Sequence, residues 1–277
     1  MKPVTLAESV DESRYGGKAA QLGVAIRAGL PVPGGIALPV GFVDAVATEQ
    51  PDAIRELDEI CTSLHGFVAV RSSAVGEDSE MASFAGQHLT CLNVHPSLPA
   101  LASAVRAIWR SAHSESALAY RERLGLPSEP RIGVVVQELV VADCAGVLFT
   151  RNPSNGADEI VIEASWGLAE SVVAGLVTPD RFRISRDGTV LERTPGMKDI
   201  AIRMSPEGGT REAAVPAECM HALSLDDAQL RQLHSLAIRC ENVFGGAQDL
   251  EWAFARRTLY LLQRRAATRI VNVEHAP

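Results

Sequence analysis

Three residues near the end of the chain combine a carboxylate, an amide and a guanidinium at spacings that predict one shared face. The region has the pattern of a hairpin whose two alternating strands are joined at Arg256-Arg257-Thr258. With this three-residue loop, Glu251 faces Gln263 across the ladder, and directly opposed Cβ atoms lie about 4.5–5.5 Å apart. Arg265, two residues further along the same strand, projects to the same face.

Such a face has the chemistry of a magnesium–nucleotide site. Carboxylate and amide oxygens are hard ligands of the kind that Mg²⁺ prefers, and a guanidinium forms a two-pronged contact with phosphate. The alternative is a hairpin face that only contacts solvent. The inference also depends on the turn, because a two-residue loop would shift the register and separate Glu251 from Gln263.

Two cations earlier in the chain stand where a phosphate could bind. Gly16-Gly17-Lys18 begins a predicted helix that extends to Ala28, and the free amides of a helix N-terminus attract anions. The spacing is not that of a Walker A loop, and a Gly-Gly turn followed by a solvated lysine is the alternative. Arg71 ends a short apolar strand, where it contacts either an anionic ligand or the nearby carboxylates of Glu77 or Asp78.

Two further segments are compatible with holding a nucleotide. Ser83-Phe84-Ala85-Gly86-Gln87 is small and flexible enough to lie over phosphates, although many surface loops share that composition. Gln137-Glu138-Leu139-Val140 follows a run of three valines, so its exposed backbone groups are suited to paired hydrogen bonds with an adenine ring. Taken alone, this second segment is simply the end of a strand.

The pattern of elements around these residues predicts an α+β fold in two lobes. Residues 1–128 combine short apolar strands with helices, whereas residues 129–277 contain β-branched, alternating runs divided by Asn-Pro, Asn-Gly and Asp-Gly turns. A helix at Leu225–Val243 and a short helix near Leu168–Ala174 interrupt the second half. We therefore expect a mostly antiparallel sheet in the second lobe, with the hairpin at its end.

Composition and charge exclude several classes of function. The chain has 277 residues, 47% apolar and 22% charged, and a net charge of −8 without a basic stripe, so no nucleic-acid partner is expected. Neither a run of about 18 apolar residues nor a signal-peptide core is visible, which predicts no membrane association. The five cysteines are scattered and lack a C-x-x-C pair, which favours a reducing, cytoplasmic location.

Other candidate residues give weaker signals. The seven histidines contain no i, i+4 pair and no His-x-His, so we expect no histidine metal site. A Gly-x-Ser-x-Gly nucleophile elbow is missing from the sequence. Lys198 and Arg203 could contact a ligand, but we expect both to be solvated surface charges.

Six sequence segments, taken in order, cover nearly the whole chain. They are GGKAAQLGVAIRAGLPVPGG (16–35), VAVRSSAVGEDSEMASFAGQHLTCLNV (68–94), VVVQELV (134–140), GVLFTRNP (146–153), IEASWGLAESVVAGLVTPDRF (162–182) and QDLEWAFARRTLYLLQRR (248–265). Together they resemble the N-terminal nucleotide-binding domain of the phosphoenolpyruvate synthase, pyruvate phosphate dikinase and rifampin phosphotransferase family. The resemblance implies an ATP-grasp fold, in which two lobes close on ATP.

The same resemblance implies that ten residues bind ATP and Mg²⁺. Lys18, Arg71 and Arg265 would be the catalytic cations, which hold the phosphates and neutralise charge on the transferred group. Glu251 and Gln263 would bind Mg²⁺. The other five would form a loop over the phosphates and an adenine-binding strand end, the last two through main-chain groups: Gly86, Thr90, Gln137, Glu138 and Val140.

The sequence departs from the family where the phosphoryl acceptor would be. Family members continue into a swivelling domain with a phosphorylated histidine, whereas this sequence stops at Pro277 and no histidine follows a Thr-x-Gly-Gly-type segment. We therefore expect the β-phosphoryl of ATP to pass to a histidine on a separate partner protein, which leaves AMP and phosphate. Two alternatives remain: a self-contained kinase or ligase that acts on a small molecule, and a nucleotide-binding protein without catalysis. A piece of a longer enzyme would also lack these domains.

Overall fold

A computed structural model describes residues 2–76, 89–123, 125 and 127–267. Gly86 of the predicted phosphate loop, and the two carboxylates proposed as partners of Arg71, lie outside this range. The chain forms two compact units. Unit 1 comprises the described residues up to Val140 together with Met204–Arg211, and unit 2 comprises Val141–Arg203 and the described residues from Glu212 onward. Both units combine helices with sheets, which confirms the α+β class.

Unit 1 is built on one antiparallel sheet. Its elements are β1 (Val4–Thr5), a 3₁₀ turn (Leu6–Glu8), α1 (Glu12–Tyr15), α2 (Gly17–Arg27), β2 (Gly35–Leu38), α3 (Val40–Ala47), α4 (Pro51–Ser63), β3 (Val68–Ala74), β4 (Thr90–Val94), α5 (Leu98–Ala112), α6 (Glu115–Arg123) and β5 (Ile132–Glu138). The strand order is β1-β2-β5-β3-β4. Because β5 pairs between β2 and β3, the segment 132–138 belongs to unit 1, although the sequence interpretation grouped it with the second lobe.

The two faces of this sheet have separate apolar cores. Val134 and Val136 of β5 face a core that α3, α4 and α5 cover, whereas Val135 faces a smaller core shared with α2. The alternation follows from the two-residue period of a strand. Each fully buried aliphatic side chain of this kind contributes about 1.5–3 kcal/mol to folding. Helix α2 is therefore seated on the second face by Ala19 and Leu22.

Unit 2 contains a larger antiparallel sheet. Its elements are β6 (Cys144–Phe149), β7 (Glu159–Trp166), α7 (Glu170–Val173), β8 (Asp180–Ser185), β9 (Val190–Thr194), β10 (Ile200–Met204), β11 (Thr210–Ala214), α8 (Ala217–Met220), α9 (Asp227–Phe244), β12 (Gln248–Ala255) and β13 (Thr258–Ala266). Six strands pair in the order β13-β12-β6-β7-β8-β9. β10 and β11 form a separate pair, and the turn that joins them belongs to unit 1.

Helix α9 explains which face of the larger sheet is buried. It begins at a capping box, in which the Gln229 N–H donates to Asp226 Oδ1 and the Asp226 N–H donates to Gln229 Oε1, both at 2.9 Å. Leu230, Leu233 and Leu236 are buried at helical spacing. Because α9 packs on β6, β12 and β13, the sheet residues on the opposite face are available for other contacts.

Lys198 corrects one sequence expectation, because it is fully buried rather than solvated. Its ammonium pairs with Asp180, which is also fully buried. The Asp180 carboxylate further accepts hydrogen bonds from the Gly196 N–H at 2.8 Å and from both the N–H and the hydroxyl of Ser224 at 2.7 Å. This ion pair thus connects β8 to two segments that follow it at a distance in the sequence.

We expect Lys198→Ala to lower the free energy of unfolding by about 3–5 kcal/mol, because it leaves a buried carboxylate without its cation. The measurement is thermal or denaturant unfolding. Arg203→Ala is the control, since Arg203 is exposed and its removal should change little. Equal stability of the two variants would contradict the structural role of the pair.

None of the helices in the part of the chain that the structure describes has the length and apolarity needed to span a membrane.

Candidate functional site

The N-terminus of α2 is fitted closely against the end of β3. Gly16 has φ +82°, and a Cβ atom there would lie 1.9 Å from the Ser73 carbonyl oxygen. The Ala19 N–H donates to Ser73 Oγ at 3.0 Å. Lys18, in the first turn of the helix, is buried with 6% of its surface exposed. The predicted helix start is therefore confirmed, and the solvated alternative for Lys18 is wrong.

We expect Gly16→Ala to destabilise the protein by about 1–3 kcal/mol or more, since it adds both a left-handed backbone strain and a collision with Ser73. Gly246→Ala is the matched control: Gly246 has φ +63°, but an added Cβ would meet open space. Unfolding midpoints of the two variants separate strain from collision. Similar losses in both would show that Ser73 moves aside and that the close fit is unimportant.

Arg71 lies on the face of the sheet that α2 covers. Residues of β3 alternate, so Arg71 shares this face with Ser73, which contacts α2. Arg71 pairs directly opposite Val135, and Gln137 follows on the same face of β5, at a diagonal distance of about 7–8 Å. Arg71 is 7% exposed and Gln137 is 1% exposed. Unit 1 thus brings Arg71, Gln137 and the helix that carries Lys18 to one sheet face.

Thr90 is placed beside Arg71 across the sheet. It begins β4 and pairs directly opposite Arg71, while the Ser72 N–H donates to the Leu89 carbonyl at 3.2 Å. The Thr90 side chain is exposed. This position is compatible with the predicted phosphate contact, and the contact itself stays a prediction.

The end of β5 presents backbone groups of the kind that an adenine ring needs. The Glu138 N–H donates to the Gly34 carbonyl at 2.9 Å, and the Leu139 N–H donates to the Phe67 carbonyl at 3.1 Å. The Val140 N–H forms no hydrogen bond with any residue that the structure describes. The Glu138 carbonyl at the end of β5 and the Val140 N–H just after it are an acceptor and a donor of the kind that adenine pairs with.

The hairpin of unit 2 has a different turn from the one predicted. Ala255 pairs with Thr258 around a two-residue turn at Arg256-Arg257, and both turn residues have positive φ, as a type I′ turn requires. The three-residue loop was therefore wrong. The expected pairing of Glu251 with Gln263 is nevertheless present, because the register shifts between Glu251 and Trp252.

This register shift is a β-bulge, and it restores the predicted site. Trp252 pairs with Leu261, whereas Glu251 pairs with Gln263, so Leu262 is the extra residue on β13. Two residues beyond, Arg265 pairs with Asp249. In the amide orientation that satisfies its neighbours, Gln263 accepts hydrogen bonds from Arg265 Nε at 2.9 Å and Nη2 at 2.8 Å.

Asp249 is a site residue that the sequence interpretation missed. Burial and the nearby Glu251 carboxylate raise its pKa to about 6, although Arg265 lowers it. Because these two half-buried carboxylates repel each other, a cation bound beside them would stabilise their charged forms. The signal available in the sequence was spacing, since Asp249 stands two residues before Glu251 and therefore on the same strand face.

The donor set fits a cation that arrives with a nucleotide better than a resident metal ion. Among the described residues, no group of three or more histidine, cysteine, aspartate or glutamate side chains is arranged to hold a metal. Mg²⁺ characteristically binds one or two carboxylates and takes its other oxygens from water and phosphates. Glu251 and Gln263, with Asp249 beside them, could supply that protein share.

Comparison with known proteins identifies the family of this chain. Residues 41–276 match the pyruvate phosphate dikinase AMP/ATP-binding domain, so the chain belongs to that family. The resemblance inferred from the sequence is thereby confirmed, and the helices and sheets of both units agree with the expected α+β class.

The relatives are considerably longer than this chain. A probable phosphoenolpyruvate synthase of Methanothermobacter thermautotrophicus is 35% identical over 91% of this chain and 44% of its own length. A rifampicin phosphotransferase of Streptomyces sviceus is 32% identical over 96% of this chain and 36% of its own length. The chain therefore spans less than half of each of these two relatives.

Proposed function

We propose that this chain is the Mg-ATP-binding component of an ATP-dependent phosphotransferase. The observation that carries the proposal is the hairpin face on which Glu251 and Gln263 pair directly, with Asp249 and Arg265 as the next pair. Membership in a family of AMP/ATP-binding domains supports it, as do the named activities of the longer relatives. Lys18 and Arg71 of unit 1 add two buried cations suited to phosphate oxygens.

The residues would act by alignment and charge neutralisation, because phosphoryl transfer requires little covalent work from the protein. Lys18 and Arg71 would hold the phosphate chain, with Thr90 and Gly86 over it. The backbone groups of Glu138 and Val140 would orient the adenine. The buried Gln137 would hold this end of β5 in place. Glu251 and Gln263 would hold Mg²⁺, and the ion would supply positive charge to the phosphates.

Arg265 is the residue best suited to the charge that develops during transfer. Its guanidinium donates to Gln263 and faces Asp249, so its position is fixed before any substrate binds. A preorganised donor of this kind stabilises a transition state without reorganising at the moment of reaction. Arg265 is therefore proposed as a catalytic residue together with Lys18 and Arg71.

We further propose the acceptor and the bonds that change. A histidine nitrogen on a separate protein or domain attacks the β-phosphorus, the bond from that phosphorus to the α,β-bridging oxygen breaks, and AMP leaves. Water then removes the γ-phosphoryl as phosphate, so one phosphoryl group remains on the histidine. A reducing cytoplasmic location belongs to this proposal, since all five cysteines are free thiols.

Phosphorus NMR of the purified chain with Mg-ATP, alone and with lysate of its source organism, tests the proposal. AMP and phosphate that appear only with lysate support transfer to a separate histidine partner. ADP together with a phosphorylated small molecule supports the self-contained kinase instead. Binding of ATP without turnover in either sample supports a nucleotide-binding protein that does not catalyse, and an Arg265→Ala variant shows whether any observed turnover belongs to this site.

A further inference from the structure

Strand β4 contains an irregularity three residues after Thr90. Val70 pairs with Cys91, but Val68 pairs with Val94, so β4 has one residue more than β3 across this interval. Asn93 lies within it at φ +54°, a left-handed conformation that asparagine tolerates better than most residues. Among the residues that the structure describes, β4 is an edge strand that pairs with β3. Its register within the sheet is therefore set by the pairing with β3.

The Asn93 side chain holds the turn between β10 and β11. Asn93 is 1% exposed, and its Nδ2 donates to the carbonyls of Ser205 at 2.6 Å and Gly209 at 2.8 Å. The Gly209 N–H returns a hydrogen bond to the Asn93 carbonyl at 3.1 Å. The Asn93 Oδ1 atom has no hydrogen-bond partner among the described residues. These three hydrogen bonds form a clamp between Asn93 and the turn, in which the side chain contributes the two bonds of its amide nitrogen.

The turn Ser205–Gly209 is closed by backbone hydrogen bonds of its own. The Ser205 N–H donates to the Gly209 carbonyl at 3.0 Å, and the Gly208 N–H donates to the Ser205 carbonyl at 3.1 Å. Gly208 and Gly209 both have positive φ, so the turn depends on glycines at these positions. Asn93 thus joins β4 to the backbone of a hydrogen-bonded turn and not to a side chain.

We propose that Asn93 is a positioning residue for the phosphate-binding part of the site. By fixing the bulge of β4 against the turn Ser205–Gly209, it sets the register that places Thr90 directly opposite Arg71. Bulges beside functional sites characteristically aim neighbouring side chains in this way. The inference rests on the proposed function, since it assigns the clamp to the binding of ATP phosphates.

Two substitutions of Asn93 and one control separate the side-chain hydrogen bonds of the clamp from the backbone conformation. Asn93→Gly keeps the left-handed conformation and removes the amide. Asn93→Asp keeps the side-chain shape but directs carboxylate oxygens at two carbonyls, which repels the turn. Glu207→Ala is the control within the same turn. The Glu207 carboxylate accepts a hydrogen bond from the Ser205 hydroxyl and is not part of the clamp.

Calorimetric titrations with Mg-ATP and with adenosine test the proposal. We expect Asn93→Gly and Asn93→Asp to weaken Mg-ATP binding about tenfold, which corresponds to about 1.4 kcal/mol, while adenosine affinity changes less than about twofold. A purely structural role would weaken both ligands together. Hydrogen exchange at residues 90–94, faster in Asn93→Asp than in Glu207→Ala, reports release of β4 directly.

The outcomes distinguish the two levels of inference. Wild-type Mg-ATP affinity in both Asn93 variants, or equal loss for Mg-ATP and adenosine, overturns the positioning role and leaves the proposed function intact. Failure of the unmodified chain to bind Mg-ATP overturns both, whatever the exchange data show.

Discussion

Glu251→Gln is expected to abolish the magnesium dependence of ATP binding and to lower any ATP turnover by about 10²–10³-fold. Loss of one preorganised electrostatic stabiliser at a transferring group has effects of this size. Glutamine keeps the shape of the side chain but replaces a charged metal ligand with a neutral one, beside a carboxylate whose own pKa is raised. The fold should remain, since the substitution removes one of two repelling carboxylates.

Phosphorus NMR gives the turnover rate, and titration of ATP with and without Mg²⁺ gives the metal dependence. Glu212→Gln is the control, because Glu212 is exposed and its strand β11 belongs to the two-stranded sheet, not to the six-stranded sheet that contains β12. Unchanged rate and unchanged magnesium dependence in Glu251→Gln would show that the hairpin face does not bind the metal.

Lys18→Met should weaken ATP binding about 10- to 100-fold, because hydrogen bonds to a charged group contribute about 1.5–3 kcal/mol. Methionine preserves most of the buried volume, so the expected loss is the loss of charge at the start of α2 and not a cavity. Calorimetric titration of Mg-ATP measures it, and thermal unfolding confirms that the variant is folded.

The control for Lys18→Met is Lys2→Met, since Lys2 is exposed. If the two variants bind Mg-ATP equally well, the buried position of Lys18 serves packing alone. Loss of adenosine binding in parallel with ATP binding would also count against a phosphate contact, because adenosine has no phosphate for the ammonium to reach.

The elements predicted most accurately from the sequence are those with strong local periodicity. Helix α9 was placed within two residues of its observed start, because apolar residues recur at helical spacing along it. The three strands β9, β10 and β11 were not predicted. Their residues are largely half-exposed or exposed, so burial imposes little hydrophobic pattern on them.

The site was predictable where one strand face carries it and unpredictable where distant segments meet. The predicted pairing of Glu251 with Gln263 is present although the predicted turn was wrong, because the bulge at Leu262 compensates for the shorter loop. Lys198 could not be placed, because its charge is compensated by Asp180, 18 residues earlier. Asn93 gave no signal at all, since its turn lies 112 residues further along the chain.

The position of the turn Ser205–Gly209 limits how this chain can be divided into fragments. Because Met204–Arg211 belongs to unit 1 while its flanking residues belong to unit 2, the chain passes from one unit to the other three times. A single cut after Val140 yields two pieces, of which the second holds the loop that Asn93 clamps in the first. Expression of the first piece alone therefore leaves β4 without the turn that Asn93 clamps. A gene fusion or circular permutation that keeps unit 1 whole must also retain residues Met204–Arg211.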